Sequence, residues 1–343
     1  MSRTDPRIPR GPNATGPTPL RLGTRRSPLA MAQSRQVAEA VSAATGRRVE
    51  LVEITTYGDT SRAPMSQIGG TGVFVSALRD ALLQRRIDIA VHSLKDLPTG
   101  QASGLALAAV PRREDPRDVL VASGGRKLSE LPRGARVGTG APRRAAQLHA
   151  WARAHGTVLE TVPVRGNVDT RIGLVRSGDL DAVVLARAGL IRLGRLGEVT
   201  EVLDTDVILP APGQGALAVE CAADDAALIA ALAVLDDPHT RASVTAERSL
   251  LAALEAGCSA PVGALADTLG PPPGGTSGTR TGEPPTELRL RAAVGTPDGS
   301  VLMQMSTTGP VPASGGDPAA LGRELAARML ARGAAGLMGE RAH

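Results

Sequence analysis

The sequence predicts an α/β protein of two open-sheet lobes followed by a small α+β domain, and three observations carry that expectation. Apolar runs of strand length alternate with helical periodicity from Leu20 to about residue 220, the alternation that builds parallel sheets with helices on both faces. After about residue 238 the order changes to a long helix, a pair of strands and a terminal helix. The length of 343 residues agrees, since it holds about two or three typical domains.

Residues 1–19 hold five prolines and no periodicity, and are expected to form a disordered tail. The fold begins with the strand LRLGT (20–24). Ser27 and Pro28 then open a helix that Gly46 closes; cap, first-turn proline and terminal glycine agree. VELVEITT (49–56) is the next strand, followed by a helix near 73–86 and the strands DIAVHS (88–93) and LALAAV (105–110). The second lobe starts at DVLVAS (118–123) and continues with RVGTG (136–140), a helix from Pro142, VLETVPV (158–164), a helix from about Val168 and DAVVLAR (181–187). Cys221 closes a further strand in LAVECAADD and reads as a small core residue. The third domain takes a helix from about 239 to Gly257, strands near 286–296 and 301–308, and a helix over about 318–333. Two stretches rich in Gly and Pro, 270–285 and 309–318, read as surface loops. The lobes are expected to divide near 112–117, with the chain crossing back near 210–216.

Composition narrows the function. Tyr57, Phe74 and Trp151 are the only aromatic residues, which argues against a base-stacking RNA module and leaves Ala, Val, Leu and Ile to fill the core. Lys and Arg exceed Asp and Glu by 39 to 34, but the arginines are scattered rather than drawn into the stripe that duplex DNA requires. No run approaches the roughly 18 apolar residues of a membrane span, and the N-terminus lacks the apolar core of a secretory signal. Cys221 and Cys258 could pair, yet reduced thiols in a cytoplasm are the simpler reading. Phosphate-loop, dinucleotide, zinc and serine-hydrolase motifs are absent, and the five histidines do not cluster.

What recurs is arginine at the carboxyl ends of strands. Arg25 and Arg26 follow LRLGT, Arg143 and Arg144 follow RVGTG, Arg165 and Arg171 flank GNVDT, and Arg192 follows DAVVLARAGL. Taken singly, each reads as a solvated surface charge. Recurrence at these four turns points instead to a cleft for carboxylates or phosphates, because ligands of open α/β sheets bind at strand ends beside helix N-termini. VHSLKDLPT (91–99) brings Ser93, Lys95 and Asp96 to another strand end. An acid beside a lysine also describes an ordinary salt bridge; the functional reading is that Asp96 stabilises a developing cation and passes protons. His92 faces the other way by strand alternation and reads as a hydrogen-bonded core residue. Cys258 lies on a turn after a helix, where the backbone carbonyls repel a thiolate. A reactive Cys258 therefore needs a strong electrophile, and otherwise it is structural.

The ordered set LGTRRSPLAMAQ (22–33), GGTGVFVSAL (69–78), DIAVHSLKDLPT (88–99), REDPRDVLV (113–121), VGTGAPRRAAQL (137–148), VRGNVDTR (164–171), LPAPGQGALAVEC (209–221) and TAERSLLAALEAGCSAPVG (245–263) resembles the hydroxymethylbilane synthase, or porphobilinogen deaminase, family across roughly residues 20–338. The resemblance implies two doubly wound, periplasmic-binding-protein-like α/β domains, 20–114 with 214–236 and 115–213, and a small α+β domain over 238–340. It implies a transferase of tetrapyrrole biosynthesis that condenses four porphobilinogen molecules head to tail, releases ammonia at each addition, and hydrolyses off linear hydroxymethylbilane. Its cofactor would be a dipyrromethane held by a thioether to Cys258, formed with the azafulvene-like electrophile that ammonia loss creates. Asp96 would be the catalytic carboxylate. Lys95 and Ser93 would contact cofactor or substrate, and Arg25, Ser27, Arg143, Arg144, Arg165, Arg171 and Arg192 would hold acetates and propionates, with Thr139 and the Gly140 backbone assisting. Gln214 takes a supporting role in the crossing, and the segment from Gly58 to Gly72 corresponds to a lid.

Departures from the family pattern are Gln67 and Thr71 in place of lid lysines, and Ala141-Pro142 in place of a serine-leucine pair. The first removes two lid cations and the second one hydroxyl donor near the cofactor. The implied enzyme is a cytoplasmic monomer that uses porphobilinogen, without nucleic acid, membrane or metal. The competing reading is a two-lobed small-anion-binding protein without catalysis.

Overall fold

Small aliphatic side chains close three separate sheets. The computed structural model describes residues 18–55, 72–256, 260–269 and 286–338. The predicted tail through residue 17, the segment 56–71 with Gln67 and Thr71, Cys258 with Gly257 and Ser259, and the loop 270–285 lie outside the described residues.

The first sheet contains β1 (Leu20–Thr24), β2 (Val49–Glu53), β3 (Ile89–Ser93), β4 (Leu105–Ala109) and β10 (Leu217–Ala222), in the order β2-β1-β3-β10-β4. The second contains β5 (Asp118–Ala122), β6 (Ala135–Gly138), β7 (Leu159–Val162), β8 (Ala182–Ala186) and β9 (Glu201–Val202), in the order β7-β6-β8-β5-β9. Strands β1, β2 and β3 run parallel, as do β6, β7 and β8, each set joined through helices such as α1 (Pro28–Thr45), α2 (Gly72–Leu83), α3 (Pro142–Ala154) and α4 (Val168–Arg176). The expected parallel strands form the body of each sheet, and one strand in each sheet departs from them: β10 is antiparallel to β3 and β4, and β5 is antiparallel to β8 and β9. These are the strands by which the chain enters one lobe from the other, with no helical crossover to restore direction.

α5 (Arg187–Arg192) follows β8, α6 (Ala226–Leu232) follows β10, and α7 (Pro238–Ala253) leads into a third sheet of β11 (Val262–Leu269), β12 (Glu287–Gly295) and β13 (Leu302–Pro310), backed by α8 (Pro318–Ala331). β11 escaped the sequence reading because VGALADTL holds no aromatic residue and only two β-branched ones, Val262 and Thr268, at its opposite ends. Its full register with β12, from Val262↔Val294 to Leu269↔Glu287, holds it in place. α7 stops at Ala253, four residues before the predicted Gly257, and Glu255 turns the chain with a φ of 51°. Among the described residues no helix is long and apolar enough to cross a membrane.

Two buried acids organise the interior. Glu220 of β10 accepts from Arg79 of α2 at 2.7 and 3.0 Å and stands 3.1 Å from His92 Nε2, so His92 is the buried core residue the sequence predicted, held at ion-pair distance from an acid while its Nε2 makes no hydrogen bond among the described residues. Burial opposes ionisation of Glu220, but His92 and Arg79 outweigh it and pull the carboxyl down to about 2. A folded value below the unfolded one, roughly 4.3, means this stability is complete above that pH and is lost as pH falls toward 2. Glu220→Gln is expected to cost about 3–5 kcal/mol near neutrality, and to flatten the acid side of the stability curve. Denaturant titrations from pH 7 down to about 2 would measure both, and an unchanged acid slope would reject the linkage.

The second acid, Glu247 of α7, is wholly buried and takes four bonds from three parts of the chain. Arg113 of the outward crossing donates at 2.6 and 3.0 Å, Gly213 N of the return crossing at 2.6 Å, and Ala266 N of β11 at 2.9 Å. The return crossing depends on two glycines. Gly213 (φ 75°) would place a Cβ 3.3 Å from Lys95 N, and Gly215 (φ 88°) would drive one into Glu114 O.

Candidate active site

β3 ends at Ser93 and tightens into a single 3₁₀ turn, Leu94–Asp96. Leu94 is fully buried and its N–H donates to Ala216 O at 3.0 Å, which fixes the start of the turn. Leu97 N closes it onto Leu94 O at 3.1 Å. The turn presents Lys95 and Asp96, both partly buried; among the described residues neither has a hydrogen bond or an ion pair. The ordinary salt bridge that the sequence left open is therefore not made. Burial pushes the Lys95 ammonium below its usual value; Asp96 and Asp118 oppose that shift, while Arg144 and Arg143 add to it. Ser93 accepts from the buried Gln33 of α1 at 2.9 Å.

From the other lobe, Thr139 and Gly140 follow β6. Thr139 Oγ1 accepts from Ala141 N at 3.2 Å, so its hydroxyl serves the helix entry that Ala141 cannot cap. A Cβ on Gly140 would lie 2.7 Å from Val164 O, so the backbone approaches closely there. Arg143 and Arg144 open α3 and lie deeper than strand-end cations at a cleft mouth: they are 4% and 5% exposed and turn onto Asp118. Arg143 Nη1 meets Asp118 Oδ2 at 2.9 Å, and Arg144 donates to both carboxylate oxygens at 2.8 and 3.1 Å. Gln214 Nε2 adds a bond of 2.7 Å to Asp118 and another of 2.7 Å to Pro116 O. Burial disfavours the Asp118 charge, yet the two guanidinium groups hold its carboxyl far below the usual carboxylate range. Two cations on one anion leave the cluster net positive.

Arg171 donates to Gly166 O at 3.0 Å, and burial, helped by the Arg144 charge, lowers its pKa. Arg192 donates to Gly215 O at 2.6 Å and is likewise lowered by burial, against Glu114. Arg192 Nε and Gln214 Oε1 are buried and have no hydrogen-bond partner among the described residues. Ser27 caps α1 by accepting from Ala30 N at 3.3 Å; Arg25 beside it is partly buried, and Arg165 beyond β7 is exposed. The structure thus brings Lys95, Asp96, Arg143 and Arg144 into one electrostatic cluster, with Arg171 coupled to Arg144 and Arg192 and Gln214 at the crossing.

Residues 20–230 match the family model described as "Porphobilinogen deaminase, dipyromethane cofactor binding domain", and residues 242–331 match "Porphobilinogen deaminase, C-terminal domain". The chain belongs to the porphobilinogen deaminase family. It is 72% identical to porphobilinogen deaminase 1 of Streptomyces coelicolor over 323 residues, covering 94% of this chain and 98% of that one. It is 54% identical to porphobilinogen deaminase of Thermobifida fusca, covering 92% and 95%. Among solved structures, the methionine binding protein MetQ aligns at 13% identity with a TM-score of 0.40, over 63% of this chain and 89% of that one, a likeness too loose to carry an argument.

Within this porphobilinogen deaminase frame, the sequence reading overlooked Asp118, Gln33 and Glu247. Asp118 had a signal, an acid opening an otherwise apolar strand, DVLVA. A buried carboxylate at a strand start needs cationic partners, and Arg143 and Arg144 were already in view. Gln33 is a buried amide in the apolar stretch LAMAQ, and its partner Ser93 lies 60 residues away. No local pattern joins those two.

Proposed function

We propose that this member of the porphobilinogen deaminase family is a hydroxymethylbilane synthase. It joins four porphobilinogen molecules head to tail on a dipyrromethane primer, releases ammonia at each addition, and frees linear hydroxymethylbilane by hydrolysis. The observation that carries the reading is the unpaired Lys95–Asp96 turn facing the buried, net-positive Asp118–Arg143–Arg144 cluster.

The residues present fit a dipyrromethane. Its acetates and propionates call for several buried cations, and the unpartnered Arg192 Nε and Gln214 Oε1 show polar capacity that the protein itself does not use. Lys95, Ser93, Thr139, the Gly140 N–H, Arg143 and Arg144 would hold it, anchored through Cys258. When bound, it supplies the pyrrole carbon to which the first incoming unit is joined.

Arg25, Ser27, Arg165, Arg171 and Arg192 hold the carboxylates of incoming porphobilinogen. Asp96 lies where positive charge develops on a pyrrole nitrogen as ammonia leaves, stabilises that charge and moves the proton. Lys95, depressed by burial, keeps a donor beside the carboxylates with little cost of desolvation at binding. The enzyme works as a monomer in the cytoplasm without nucleic acid or membrane, a reading that the scattered arginines and the buried free thiol of Cys221 support. Purified chain given porphobilinogen should release ammonia and form hydroxymethylbilane. Reversible binding with no ammonia would instead establish the anion-binding alternative.

A further inference from the structure

We propose that Arg248 of α7 is a positioning residue for Asp96, clamping the turn that carries the carboxylate. The inference rests on reading Asp96 as the catalytic carboxylate. Arg248 Nη1 donates to Leu97 O at 2.7 Å and to Leu94 O at 3.3 Å, and Nη2 donates to Pro98 O at 2.6 Å. Three carbonyls at the C-terminal end of one 3₁₀ turn thus converge on a single planar cation. Its rigid fork spans adjacent carbonyls in a way that an ammonium cannot.

The turn has few other restraints. Leu94 N to Ala216 O holds its start and Leu97 N to Leu94 O closes it, while the Lys95 and Asp96 side chains contribute no hydrogen bond. Behind it lies a groove of about 610 Å³, lined by Leu97, Pro98, Gln101, Arg241, Thr245 and Arg248. Without the guanidinium those three carbonyls face this space, and the turn is free to shift toward it.

The clamp also has a fixed base. The preceding residue, Glu247, is bonded to Arg113, Gly213 and Ala266, so this part of α7 is tied to both crossings and to β11. Arg248 lies ten residues before Cys258, on the helix that leads to it. One helix therefore holds the Asp96 turn, where an error near 1 Å costs on the order of 100-fold in rate.

The test uses holoenzyme carrying Arg248→Ala, Arg248→Lys or Asp96→Asn. In Arg248→Ala, kcat for porphobilinogen should fall roughly 10- to 100-fold while KM stays within about twofold. Intact mass should show the dipyrromethane fully attached. Millimolar guanidinium entering the groove should restore part of the lost kcat, and Arg248→Lys should fall between wild type and alanine. A normal kcat in Arg248→Ala, a change confined to KM, or a loss that guanidinium does not repair would each overturn the positioning role. If the alanine chain does not fold, the lysine chain decides: wild-type kcat there also overturns it. A normal kcat in Asp96→Asn would remove the underlying reading instead, so the two failures are separable.

Discussion

Asp96→Asn lowers kcat by roughly 100- to 10,000-fold and leaves the dipyrromethane attached; that is the expected result for a carboxylate that acts on charge in the transition state. Asparagine keeps the size and the acceptor oxygen, so the turn held by Leu94, Ala216 and Arg248 stays intact. What disappears is the negative charge and the site for a proton. Because Asp96 carries no hydrogen bond or ion pair among the described residues, the substitution orphans no protein partner, and lost activity reports on the reaction rather than on folding. Steady-state kinetics beside an intact mass measurement would check it. Turnover within about threefold of wild type would refute the assignment, because general acid–base roles contribute at least about 100-fold.

Cys258→Ala should abolish turnover outright, because it removes the only proposed covalent anchor for the primer. The intact mass of wild-type chain should exceed the calculated polypeptide mass by one dipyrromethane, and the alanine chain should show the polypeptide mass alone. Cys221 cannot stand in. It is wholly buried in β10, and burial, with Asp225 and Glu220 nearby, pushes its thiol up to about 11, so its thiolate is scarce at neutral pH. Retained turnover in Cys258→Ala, or an unmodified mass in active wild-type enzyme, would refute the anchor.

The sequence made the strand ends legible because local chemistry specifies them. Ser27 with Pro28, and the helix starts read at Pro142 and about Val168, are local signals, and the structure begins α1, α3 and α4 there. The turn at Asp96 was equally local. What stayed hidden was set at a distance. β11 is a strand only because β12 pairs with it along its whole length. The reversed direction of β5 and β10 follows from where the chain crosses between lobes, which periodicity does not encode. Arg143 and Arg144 read correctly as strand-end cations, but their depth follows from Asp118, whose partnership spans 26 residues in sequence to Arg144 and 96 to Gln214.

The four-bonded carboxylate of Glu247 has a thermodynamic corollary. Detaching either crossing or the third sheet would strip donors from an anion sealed away from water, a loss of several kcal/mol for any partly opened form. Intermediates with one lobe melted and the others native are thereby disfavoured. Heat or denaturant is then expected to unfold the three sheets together although each possesses a core of its own, and a calorimetric scan resolving separate transitions would reject that coupling.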